Sequence, residues 1–162
     1  IREDSEVLRN LLPASNLELI KIDFYKVTVD QQNGSVIALF SSPDKVLGIE
    51  FNAIEGTMLT FTASGCYDNS HLRTIYHLYV ETMQMIKFKL QKVVIESRQG
   101  DIIYARLFWQ DHKSRNVFKR CSAGDAVVLA VMCDVDIYIT KNVYDDLEDY
   151  TEYDEKLKDE YE

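Results

Sequence analysis

The spacing of apolar residues changes along the chain, and the changes outline its elements. From Leu17 to Asp30 β-branched and aromatic residues dominate, which predicts a long strand. Gln31-Gln32-Asn33-Gly34 carries the Asn-Gly turn signal, and strands continue over 35–40 and 45–51 around Ser41-Ser42-Pro43-Asp44. These three segments predict an opening meander. Asn52-Ala53-Ile54-Glu55 then has the form of a capping box, in which Asn52 accepts from early backbone N–H groups and Glu55 reaches back. The helix it opens should end near Gly65 and carry Ile54, Met58 and Phe61 at i, i+4 and i+7. A second helix, about Ser70 to Met83, places Leu72, Ile75, Tyr76, Tyr79 and Met83 on one face. A short helix over 4–12 is predicted upstream, capped by Asp4 or Ser5 and stopped by Pro13.

The second half repeats the scheme. Ile86, Phe88 and Leu90 alternate with lysines, and Val93 and Ile95 resume in the other phase, which predicts a bulge near Gln91-Lys92. Arg98-Gln99-Gly100-Asp101 turns the chain into a strand over 102–109, and another follows at 116–120. A helix over 126–133, apolar all round, predicts a buried element, and Val135 to Thr140 a further strand. The expected fold is a single α+β domain of two strand-helix halves with mixed β-sheets, spanning 17–142. It carries an N-terminal helical extension over 1–16 and an acidic tail over 143–162.

Charge changes the picture of that tail. Residues 145–162 hold ten acids against two lysines, a net of −8 out of the chain's −9, so the remaining body carries only −1. A near-neutral body can hold a local basic patch, since local potential rather than total charge binds phosphate. Val143, Leu147, Tyr150 and Leu157 lie at helical spacing, as in an amphipathic helix that docks on the body or on a second subunit; disorder beyond about Glu155 is the competing reading. No apolar run is long enough to span a bilayer, and no secretory pattern is visible. Cys66, Cys121 and Cys133 are odd in number and lack CxxC spacing, which fits reduced thiols in a cytoplasm.

Candidate chemistry is sparse. Glu55 and Asp125 are acids at predicted helix starts, and both Asn52-x-x-Glu55 and Ser122-x-x-Asp125 read equally as capping boxes. His71, His77 and His112 show no metal-chelating spacing. Lys87-Phe88-Lys89-Leu90-Gln91-Lys92 could turn its lysines to phosphates, although any half-solvated strand alternates in this way. Tyr104, Arg106 and Trp109 could add a stacking surface. The ten tyrosines suit an oligomer interface as well as base stacking.

The order of segments from Lys45 onward resembles the bifunctional nuclease (BFN) domain. Val46-Leu47-Gly48-Ile49-Glu50-Phe51 through Glu55-Gly56 is similar to that family's strand leading into a helix that begins around Glu-Gly. Val93-Val94-Ile95-Glu96-Ser97 with Ile103-Tyr104-Ala105-Arg106-Leu107 resembles its central hairpin. Gly124-Asp125-Ala126-Val127-Val128-Leu129-Ala130 resembles its Ser-Asp-Ala-Ile-x-Leu-Ala helix, and Asp136-Ile137-Tyr138-Ile139 its Pro-Ile-x-Val strand. The chain departs from the family at Cys121-Ser122-Ala123-Gly124-Asp125-Ala126, which lacks the Arg and Pro of Ser-Arg-Pro-Ser-Asp-Ala. It departs again at Leu72-Arg73-Thr74-Ile75-Tyr76-His77, where the His-Asp pair is lost and Arg73 is displaced by one position.

The resemblance implies a metal-assisted nuclease acting on DNA or RNA. Asp125 and Glu55 would bind Mg²⁺ or Mn²⁺, and Arg106 or Arg73 would neutralise the phosphate. The departures imply the alternative, a non-catalytic homo-oligomeric interaction or regulatory module. A shared fold does not carry an activity with it.

Overall fold

The computed structural model describes residues 18–65 and 73–161, so the expected helix over 4–12, the segment 70–72, Cys66 and His71 lie outside them. Seven strands form one mixed sheet: β1 (Leu19–Val29), β2 (Val36–Ser41), β3 (Val46–Phe51), β4 (Phe88–Gln99), β5 (Ile102–Asp111), β6 (Asn116–Ser122) and β7 (Asp136–Thr140). Their order is β3-β2-β1-β7-β4-β5-β6. Five helices accompany them among the described residues: α1 (Ala53–Ser64), α2 (Ile75–Met85), α3 (Ala123–Cys133), α4 (Lys141–Asp146) and α5 (Thr151–Tyr161). This is a single α+β domain.

The last strand joins the two halves. β7 pairs antiparallel with β1 on one side and parallel with β4 on the other, so the halves share one sheet and one core. The α3 crossover makes this placement feasible, because a parallel neighbour cannot be reached by a hairpin. α3 is buried along Ala123, Gly124 and Ala126 to Ala130, as its unbroken apolar sequence predicts.

Alternation sorts the strand residues between two faces. Val93, Ile95, Ala105, Leu107 and Trp109 join the core on the inner, helix-covered face. The predicted phase change appears as a register shift between Leu90 and Lys92, and a second falls between Ile95 and Ser97. Trp109 corrects the expected stacking surface: it is 1% exposed and meets Tyr79 edge-on at 5.6 Å. Tyr104 and Arg106 point to the outer face instead.

The helices also depart from their apolar stripes. On α1, Ile54 is 72% exposed and Phe61 also faces solvent, while Gly56, Leu59 and Thr62 are buried. The helix comes down on Val36 at Gly56, so its small-residue side meets the sheet. α2 begins at Ile75, where Thr74 and His77 form a capping box, and it buries Tyr76, His77, Val80 and Met83. Ile75, expected on the buried face, is 72% exposed.

Beyond α4 the chain forms an isolated bridge between Leu47 and Asp149, and α5 then lies over the outer face of β1–β3. Lys26 and Lys158 both pair with Asp154, which is 2% exposed, and the Tyr150 ring rests on Gly48.

Candidate active site

Glu55 and Asp125, 70 residues apart in the chain, are brought together by one serine. Asn52 caps α1: its side chain accepts the Glu55 N–H at 2.8 Å, and Glu55 Oε2 accepts the Asn52 N–H at 3.2 Å. Ser122 caps α3 by accepting the Asp125 N–H at 3.2 Å. The second box is only half made, because Asp125 Oδ1 accepts the Tyr76 hydroxyl at 2.6 Å. The Ser122 hydroxyl donates across to Glu55 Oε1 at 3.0 Å. Hydrogen bonds therefore run from Glu55 through Ser122 and Asp125 to Tyr76, linking the first turns of α1, α3 and α2.

Gly124 makes this approach feasible. A Cβ at that position would lie 2.2 Å from Glu55 Oε2, so the carboxylate occupies the space that any other side chain would fill. Three helix N-termini lend partial positive charge to the cluster, which favours anions there. The two acids are themselves such anions.

Tyr76 and Asp125 of the cluster line a cleft of about 420 Å³, together with Ile75 and Tyr79 of α2 and Lys119 to Cys121 of β6. Burial, with the charges of Asp125 and Glu55, raises the Tyr76 hydroxyl well above the ordinary tyrosine range, so it stays protonated and donates to Asp125. Burial and the same two acids push the Cys121 thiol up to about 12, so it is no thiolate nucleophile at neutral pH.

The two arginines lie elsewhere. Arg106 is on the outer face, 3% exposed and paired with Glu96 at 2.9 Å, while its neighbour Leu107 lines the cleft. Strand alternation separates the two faces, and the same rule applied to the buried Leu107 and Trp109 places Arg106 outside. Arg73 precedes α2 but pairs with Glu81. The cations lining the cleft are Arg120 and Lys119, and sequence reading passed over Lys119. Its cross-strand partner is Leu107, so inner-face alternation was the signal that could have found it. Tyr76 was read only as a packing residue; its hydroxyl contact across 49 positions has no sequence signature.

Among the described residues no group of three or more His, Cys, Asp or Glu side chains could hold a metal ion. Glu55 and Asp125, with one hydroxyl between them and a second beyond Asp125, do not suit zinc, which takes four tight N or S ligands. They suit Mg²⁺, which uses one or two carboxylates and keeps several waters or substrate oxygens.

Fold and cleft together define an α+β domain with an acid pair set among three helix starts. The bifunctional nuclease domain profile matches residues 39–151, from within β2 to the first residue of α5, and the chain belongs to that family. No curated protein matches it. No helix among the described residues is long and apolar enough to cross a membrane.

Proposed function

We propose that the chain is a phosphodiester hydrolase of DNA or RNA whose reacting centre is the cleft at Asp125. The hydrogen-bonded run Glu55–Ser122–Asp125–Tyr76 carries this reading, because it ties two carboxylates into one run whose Asp125 and Tyr76 line an open cleft. Family membership supports the nuclease class. Asp125 and Glu55 would hold Mg²⁺ or Mn²⁺, which when bound supplies charge neutralisation at a phosphoryl oxygen and a more acidic water. The residues around them orient and attract. Tyr76 fixes one Asp125 oxygen and leaves the other to the cleft, Ser122 holds Glu55 beside it, and Lys119 draws phosphate to the cleft wall.

Cleavage of single- and double-stranded substrates with Mg²⁺, Mn²⁺ or EDTA tests the proposal. Asp125→Ala should lower the rate about a hundredfold or more, the scale for losing an acid-base or electrostatic group. Tyr76→Phe, which acts through Asp125, should cost about 10- to 100-fold and weaken metal affinity in parallel. Activity unchanged in Asp125→Ala, prepared identically to the parent, would reject this centre.

A second reading, a non-catalytic homo-oligomeric module, is favoured by one observation. Ile75, Leu78, Met85 and Ile86 leave α2 with exposed apolar side chains, Met85 at 82%. Patches of this kind mark interaction surfaces. Light scattering on Leu78→Glu reads this out: a fall to monomer mass supports an α2 interface, and an unchanged mass removes it.

A further inference from the structure

We propose that the outer face of the β7-β4-β5-β6 half-sheet is a docking platform for single-stranded nucleic acid. Bases would stack on Tyr104, Phe108 and Phe118, and phosphates would pair with Lys89, Lys92 and Arg120. The platform shares the choice of nucleic acid with the proposed function, and Arg120 borders both surfaces, but its rings lie on the far side of the sheet from the cleft, so Phe118 tests it separately.

The placement follows from register. Tyr104 and Ser122, Arg106 and Arg120, and Phe108 and Phe118 are cross-strand partners, and Lys92 of β4 faces Phe108 on β5 and Asp136 on β7. Side-chain contacts agree. Phe108 and Phe118 meet edge-on at 4.9 Å, Lys92 lies 5.1 Å from the Phe108 ring centre, and Arg120 lies 4.1 Å from that of Tyr104. The three rings are partly exposed and Arg120 is exposed.

Charge selects the partner. In a chain of net −9, this face carries Lys89, Lys92, Arg106 and Arg120 against Asp136 and Glu96. The two acids are matched by Lys21 and Arg106. Lys92 lies over the Phe108 and Tyr138 rings and Arg120 over the Tyr104 ring, while Asp136, the β7 neighbour of Lys92, pairs with Lys21. Arg106 is nearly fully buried, and its Nε has no hydrogen-bond partner. A second copy of the chain would have to bury these cations, whereas interface centres are depleted in charge. Phosphate neutralises them. A flat sheet has no projecting element to enter a duplex groove, and ring stacking requires base faces that a duplex hides. An entering base takes the cation's place over a ring, and the displaced cation meets the adjoining phosphate.

Fluorescence anisotropy in EDTA, with the full chain and labelled oligo-dT or oligo-U of about 15 nucleotides, tests this at the length of a typical single-strand site. Single strands should bind, and a duplex of the same length should bind more weakly. Phe118→Ser and Arg120→Glu, both on the partly open strand β6, should each weaken binding about fivefold or more, the scale of one lost stack or phosphate contact. Arg120→Glu should also flatten the salt dependence. The assay contains no metal, so its outcome does not depend on cleavage at Asp125, which separates this platform from the cleft. Absence of binding by the parent chain, affinity unchanged from the parent in both variants, or a change in oligomeric mass in Arg120→Glu would each overturn the proposal.

Discussion

Over β1–β3 the outer face of the sheet is roofed by an acidic helix, whereas over β7, β4, β5 and β6 it presents partly exposed rings and cations. Leu39 and Gly48 under the roof are cross-strand partners; Leu39 is fully buried and the Tyr150 ring lies on the Gly48 backbone. On the other half, Phe108 and Phe118 occupy comparable strand positions but pack against each other and against Lys92. A fully apolar outer strand position needs a cover, while a ring partnered by a cation can face water. The acid-rich tail lies on the β1–β3 half, beside Lys26 of β1.

Removing the roof breaks the comparison most severely. A chain ending at Glu148 loses Tyr150, Tyr153 and Leu157 and re-exposes Leu39. Two or three partly buried apolar side chains at about 1.5 kcal/mol each give a loss of about 3–4 kcal/mol. For a domain of this size that is a fall in Tm of about 10 °C, measurable by thermal circular dichroism. The same truncation leaves the ring contacts of the open half in place, so oligonucleotide affinity should hold or rise as negative charge is removed. A smaller break is made at a single atom. Gly48→Ala places a Cβ 2.6 Å from the Tyr150 ring, which must shift. The expected cost is about 1–3 kcal/mol, the overpacking range, with faster hydrogen exchange confined to α5.

How far these features were legible varies with the distance between partners. Local signals read well: the Asn52-Glu55 box, the Asn-Gly turn, the bulge beside Gln91 and the buried helix after Ser122 are all set by neighbours in sequence. The α1 face did not, because hydropathy favours Ile54 and Phe61 while the sheet admits only the Gly56 side. Phe108 is hidden in the run Leu107-Phe108-Trp109, where apolar character is continuous and only the register assigns faces. For the candidate site, both acids stand out as helix-start residues, but the serine joining them and the tyrosine donor depend on contacts 67 and 49 positions apart. Asp154 was invisible for a different reason. An aspartate within an acidic run reads as solvated, and its burial rests on cations of β1 and of its own helix.

That aspartate gives the mildest test of the contrast. Burial alone would raise the Asp154 carboxyl, but hydrogen bonds from Lys158, Lys26 and Tyr25, with the charge of Lys26, outweigh it and hold it below the usual carboxylate range. A depressed folded-state value contributes stability that is present above the unfolded value, about 3.9, and is lost as pH falls through the folded one. The roof should thus stay seated from neutral pH down to about 4 and loosen only below it. The Phe108–Phe118 contact of the open half involves no ionisable group, so β6 at that contact should be unmoved over the same interval. Amide and side-chain chemical shifts of α5 and β6, followed by NMR from neutral to acid pH, separate the two responses. Asp154→Asn should remove this ionisation from α5 and weaken its docking at neutral pH by about 1 kcal/mol, because Lys26 and Lys158 can turn their charges to water once their partner is neutral. Simultaneous loosening of both halves would mean that acid acts on the shared core, and the division of the outer face would lose its electrostatic basis.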